Sequence, residues 1–162
     1  MKEIKIESTL YVFDNVNELP NEALSLMQKA IEARGKAYAP YSNFNVGAAV
    51  LLENGEVVTG NNQENASYPS GLCAERTAVY YTGSQFPNSK IVRIAISAGS
   101  KKNQTTKPIP PCGACRQAIA EYEIKQESPI EIYFMGEKST FTSPLERSKL
   151  FFNNFRRGKI NN

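Results

Sequence analysis

The chain has 162 residues, 41% of them apolar and 22% charged, with a formal net charge of +3 and no histidine. That length suits one domain with a sizeable core, and no stretch is long and apolar enough for a signal peptide or a bilayer span. The charge balance offers no strong basic groove for a nucleic-acid backbone, and three cysteines, an odd number, fit a reducing cytoplasm better than a disulfide framework.

The N-terminal "MKEIKIESTLYVFD" alternates charge with apolar residues and is compatible with an extra strand. "LPNEALSLMQKAIEARGKAY" places Leu24, Met27 and Ile31 at helical spacing, with Leu19 and Ala30 widening the stripe, so it predicts a helix covering a sheet. "FNVGAAVLLENGEVVTGNN" predicts two strands joined at Asn54 and Gly55, a dipeptide suited to the positive φ angles of a tight hairpin. A helix from about Cys73, the strand "IVRIAISA", a helix from about Cys112 and the strand "IEIYFMG" follow. This alternation predicts an α/β fold with parallel pairing, to which the hairpin adds an antiparallel part. The polar, then proline-rich "GSKKNQTTKPIPP" reads as a long loop that delivers the chain to Cys112. The basic tail "RSKLFFNNFRRGK" is explained as well by a solvated helix as by a polyanion site.

Pro111 precedes Cys112, and "CRQAIAEY" after it is helix-compatible, which puts Cys112 and Cys115 in a helix's first turn with both sulfurs on one face. Cys73 likewise follows the turn-like "PSG" and precedes "AERTAVYY". Free N–H groups and the positive dipole ends of two helices favour thiolates there. Three thiolates select zinc and leave its fourth tetrahedral position open, as a catalytic site requires. Small buried cysteines are nevertheless common, and spacing alone leaves core thiols and metal ligands equally open. Glu75 by itself is an ordinary first-turn glutamate. Two residues after Cys73, however, it is near enough to reach a water on the metal without ligating it, and in a chain without histidine a carboxylate is the natural proton carrier.

"CAERTA" followed by "PPCGACRQ", and preceded by "YAPYSNFNVGAA" and "NNQENASYPSG", resembles the cytidine deaminase family, in its small, all-cysteine, homotetrameric form. Zinc deaminases carry a Pro-Cys-x-x-Cys element and a glutamate that is not a ligand. The resemblance covers about residues 30–136, with an N-terminal extension over about residues 1–18. It implies a single deaminase domain over 1–162 and a three-layer α/β/α sandwich around a mixed sheet of about five strands.

By the same resemblance Cys73, Cys112 and Cys115 hold one Zn2+ per subunit and Glu75 is the general acid/base. The implied reaction is hydrolysis of the C4 amino group of free cytidine and deoxycytidine, releasing ammonia in pyrimidine salvage. Asn62 and Glu64, on one side of an extended segment, would hold the ribose 3′-hydroxyl. Phe44 would pack on the pyrimidine, and the Ala74 N–H would meet the 2-oxo group. Arg76 would withdraw charge from the sulfurs, which together with Zn2+ carry a net negative charge. Arg116, beside Cys115, fits either that role or an exposed helix face. Tyr41 and Tyr68 match positions near subunit contacts. The C-terminal "KLFFNNF" departs from the family's Leu-Leu-Pro approach to an aromatic, so no role passes to Phe155. Other readings are a deaminase of another aminated heterocycle, such as blasticidin or a polynucleotide cytosine, and a structural zinc module with a closed fourth ligand.

Overall fold

The computed structural model describes residues 11–137 and the backbone of residues 140–142. The first ten residues of the N-terminal extension, and the basic tail with Phe155, lie outside the described residues. The rest of the extension contains a short 3₁₀ turn, Val16–Glu18, capped by the Asn15 side chain. Phe13 and Val16 from this segment pack against the first helix and the sheet.

Helix α1 spans Asn21–Gly35. Strands β1, Phe44–Leu52, and β2, Val57–Asn61, form the expected hairpin. Helix α2, Ala74–Gln85, leads to β3, Ile91–Ser100, and helix α3, Gly113–Gln126, leads to β4, Glu131–Met135, and β5, Thr140–Thr142. The five strands run β2-β1-β3-β4-β5. All neighbours are antiparallel except β3 and β4, which are parallel and joined through α3.

Alternation along the strands sorts the core into two faces. Ala48, Val50, Ile94, Ile96, Ile132 and Phe134 bury against α2 and α3. Ala49, Ala95, Tyr133 and Met135 bury against α1. The molecule is therefore a three-layer α/β/α sandwich about a mixed five-stranded sheet, as the sequence predicts.

Two local expectations are corrected. The stripe that α1 turns inward is Ala23, Leu26, Met27, Ala30 and Ala33, while Leu24 and Ile31 flank it half-buried. Close approach is the reason: a Cβ on Gly47 of β1 would lie 2.1 Å from the Ala30 carbonyl oxygen and 2.2 Å from the Arg34 nitrogen. Only small residues fit at that contact. In the hairpin turn, Gly55 alone has positive φ, at 86°; Asn54 instead accepts the Glu56 N–H on its side-chain oxygen at 3.1 Å.

The loop between β3 and α3 is held at its middle. The Thr105 N–H donates to Glu137 Oε2 at 2.7 Å, the Glu137 N–H donates to the Thr105 carbonyl at 2.7 Å, and the Thr105 hydroxyl accepts the Ser100 N–H at 3.0 Å. From there the chain reaches Cys112 through Pro108, Pro110 and the buried Pro111, a stiff approach to the start of α3.

Candidate active site

Cys73 and Cys112 occupy equivalent places, the N-caps of α2 and α3. Both have extended backbone, with φ −70° and ψ 155° at Cys73 and φ −66° and ψ 167° at Cys112. Each carbonyl accepts the first helical hydrogen bond, from Thr77 at 3.0 Å and from Arg116 at 2.9 Å. Cys115 follows within the first turn of α3 and is fully buried. The sulfurs of Cys73 and Cys112 are 3.9 Å apart and those of Cys112 and Cys115 are 3.4 Å apart. All three lie within 4.8 Å of one another.

These separations test the fit of a metal. Zinc–sulfur bonds of about 2.3 Å in a tetrahedron place sulfurs about 3.8 Å apart, so the cluster needs only small adjustment to ligate zinc. Without a cation the sulfurs cannot all ionise. The adjacent Cys115 thiol and the Arg76 guanidinium hold the Cys73 thiol down at about 5, against the opposing effect of burial. Cys115 is pushed the other way, first by that Cys73 sulfur and then by burial. A dication among the sulfurs would remove the remaining protons. The donor set therefore fits Zn2+.

Arg76, on the first turn of α2, points its guanidinium at this cluster, with Nη2 3.9 Å from Cys73 Sγ. Among the described residues its buried Nε has no hydrogen-bond partner. Arg116, on α3, is exposed. Glu75, between Cys73 and Arg76 in contact range of the cluster, is 6% exposed. Burial pushes its carboxyl above the usual carboxylate range, and the charge on Cys73 adds to that effect.

The cluster borders a cavity of about 630 Å³ whose walls include Tyr41, Asn62, Glu64, Tyr68, Cys73 and Arg76. Its back is built by the segment after β2. Tyr38 and Leu72 flank that segment: the Tyr38 N–H donates to the Asn62 carbonyl at 3.0 Å and the Glu64 N–H to the Tyr38 carbonyl at 2.9 Å, while Gln63 and Leu72 exchange backbone hydrogen bonds at 2.9 and 3.0 Å. This three-way pairing brings Glu64 and Cys73 to one wall. A close helix–strand contact keeps it there, since a Cβ on Gly60 would lie 2.6 Å from the Ala78 nitrogen of α2.

Asn62 and Glu64 both line the cavity, together with Gln63 between them, and both are already engaged. The Asn62 side chain accepts the Val46 N–H at 2.7 Å and donates to the Phe44 carbonyl at 2.9 Å. Glu64 Oε2 accepts the N–H groups of Tyr41 at 2.9 Å and Ser42 at 3.2 Å, and Oε1 accepts the Ser42 hydroxyl. The Ser42 bond foremost, helped by the two backbone bonds, holds the Glu64 carboxyl below the usual range against desolvation, whose opposing effect exceeds that of either backbone bond. Phe44, half-buried at the start of β1, and Ala74, buried at the first position of α2, do not form part of the cavity wall. Ala74 presents an N–H that helical geometry leaves without a partner. Ser42 is the residue that sequence reasoning passes over. Its one sequence signal is a serine placed two residues before a strand, where its hydroxyl can bond the backbone of the strand's first residue.

The sequence model of the cytidine and deoxycytidylate deaminase zinc-binding region matches residues 20–128. A cytidine deaminase of Halalkalibacterium halodurans is 50% identical over 96 residues, covering 59% of this chain and 68% of that protein. One from Mycobacterium tuberculosis is 36% identical over 118 residues, covering 69% and 82%. Among solved structures, the cytidine deaminase of Burkholderia pseudomallei superposes with a TM-score of 0.62 at 37% identity, over 77% of this chain and 93% of that one. That of Mycobacterium tuberculosis superposes with a TM-score of 0.59 at 31% identity, over 81% and 94%.

Proposed function

Because the chain belongs to the zinc-binding cytidine and deoxycytidylate deaminase family, we propose that it converts free cytidine and deoxycytidine to uridine and deoxyuridine by hydrolysis at C4. The observation that carries this reading is the cluster of three sulfurs on two helix starts, with a buried glutamate on the first turn of one of them and a nucleoside-sized cavity alongside. Cys73, Cys112 and Cys115 hold one Zn2+ per subunit, which when bound makes water acidic enough to serve as a nucleophile near neutral pH.

Glu75 moves the protons. It accepts one from the attacking water and delivers it to ring N3, which makes C4 electron-poor; it then carries the second to the exocyclic amine, which leaves as ammonia. One water is consumed and one ammonia released for each nucleoside. Arg76 draws negative charge from Cys73 through the approach of its guanidinium. Glu64 and Asn62 hold the ribose 3′-hydroxyl, Phe44 packs on the pyrimidine, and the Ala74 N–H meets the 2-oxo group.

The chain acts as one domain, in the cytoplasm, on a free nucleoside and without nucleic acid. Three unpaired cysteines support the reducing compartment, and among the described residues no helix is long and apolar enough to cross a membrane. The assembly is a homotetramer, supported by Tyr41 and Tyr68, which are 61% and 90% exposed at the cavity. Sedimentation of the zinc-loaded protein reads the assembly.

Substrate exclusion tests the proposal. A phosphate on the 3′-oxygen would place negative charge against the Glu64 carboxylate, which repels it and offers it no donor. Cytidine and deoxycytidine should be deaminated, whereas 3′-CMP and single-stranded oligonucleotides should not. Efficient turnover of a cytosine within an oligonucleotide would overturn the substrate class.

A further inference from the structure

Ser42, in the cavity wall, links two residues assigned above to the nucleoside, Glu64 and Phe44. Its hydroxyl donates to Glu64 Oε1 and accepts the Phe44 N–H at 3.0 Å, so one oxygen connects the carboxylate to the backbone of the aromatic residue. The turn that makes this possible is tightly drawn. Asn43 has φ 57°, in the left-handed region that favours glycine, its N–H donates to the Ala39 carbonyl at 3.1 Å, and its carbonyl accepts the Lys101 N–H at 2.8 Å. The Phe44 backbone is held on both sides of its Cα, by Ser42 at the N–H and by Asn62 at the carbonyl.

A count of acceptor positions gives the consequence. An ionised carboxylate has about four. Among the described residues, Glu64 has filled three, two on Oε2 and one on Oε1. One acceptor position on Oε1 is therefore left, on a carboxylate that lines the cavity beside the Ser42 hydroxyl. An ionised carboxylate has no proton to donate, so this position accepts a donor, such as a sugar hydroxyl, and offers nothing to a group that cannot donate.

Resting on the reading of Glu64 as the sugar contact, we propose that Ser42 is a positioning residue that sets specificity for a nucleoside with a free sugar hydroxyl. Its hydroxyl aims the one remaining acceptor position of Glu64 at that hydroxyl, and the same oxygen fixes Phe44 for the base. The pocket then refuses a sugar whose hydroxyl is missing or esterified, because the carboxylate would be left facing a group that cannot donate. Ser42 touches neither the reacting carbon nor the proton path, so its effect belongs to binding.

The test uses the zinc-loaded, full-length protein and compares cytidine with 3′-deoxycytidine. Ser42→Ala should raise KM for cytidine about tenfold, the size of one lost hydrogen bond to a charged group, while leaving kcat within about twofold and zinc content unchanged. The preference in kcat/KM for cytidine over 3′-deoxycytidine should fall towards unity. Ser42→Thr, which keeps the hydroxyl, should restore both. An unchanged preference in Ser42→Ala, or a fall in kcat at constant KM, would overturn the proposal. Should Ser42→Ala be unstable, Ser42→Cys, with a weaker donor, is read on the same scale. Glu64→Ala separates the two levels of the argument. If it abolishes the preference and Ser42→Ala does not, the role of Ser42 alone is lost; if it leaves the preference intact, the sugar contact and the role of Ser42 fail together.

Discussion

Glu75 and Glu64 are carboxylates of opposite environment, and the difference suits the separate roles proposed for them. Glu75 is buried at the sulfur cluster with its pKa raised by desolvation, where a charged group is tolerated only in exchange for function. Glu75→Gln should keep the fold and the zinc yet lose at least about a few hundred-fold in kcat, the usual scale of general acid/base catalysis; single-turnover kinetics with metal content measured on the same sample checks it, and near-normal kcat would remove Glu75 from the proton path. Glu64 is partly exposed and held low by Ser42 and two backbone N–H groups. A carboxyl whose folded pKa lies below its unfolded value contributes stability that is present above the unfolded pKa and is lost as pH falls through the folded one. The turn around Ser42 should therefore stay closed through mildly acidic pH and open only below the ordinary glutamate range. Carbon-13 titration of the Glu64 carboxyl should show a midpoint below that of an unstructured glutamate, moving back towards it in Ser42→Ala. A midpoint at or above the unstructured value would contradict the clamp.

Elements place these residues through close helix–strand contacts, and there the sequence is only partly legible. Hydrophobic spacing locates α1 but selects Leu24, Met27 and Ile31, whereas the buried stripe is centred on Met27 and Ala30. Periodicity weights large apolar residues, and the actual contact needs small ones because Gly47 admits the helix backbone. The three cysteines, Glu75 and the helix starts are legible because helix-start signals and ligand chemistry are local in sequence. The engagement of Asn62 with Phe44 and Val46, and of Glu64 with Ser42, is not, since it depends on pairing between segments about twenty residues apart. Close packing gives a direct prediction. Gly47→Ala should destabilise the protein by at least about 2 kcal/mol through overpacking, read as a lowered denaturation midpoint, while Gly35→Ala, with nothing within 4 Å of the added carbon, should be near neutral. Equal effects of the two would show that α1 does not approach β1 as described.

At the scale of the whole molecule, a sheet covered on both faces holds α2 and α3 side by side, and their adjacent N-termini bring together cysteines 39 residues apart in sequence. The fold thereby makes one reactive centre from two helix starts and gives it a cavity on one side. A structural zinc module would need a closing fourth ligand; among the described residues the cluster offers three sulfurs and a cavity wall. The most direct measurement is the loss of cytidine ultraviolet absorbance with zinc quantified on the same preparation, alongside serine variants of Cys73, Cys112 and Cys115. About one zinc per chain, with ammonia released in step with cytidine loss and both zinc and activity depleted in each serine variant, is the predicted result. Bound zinc with no ammonia released from cytidine or deoxycytidine would contradict it.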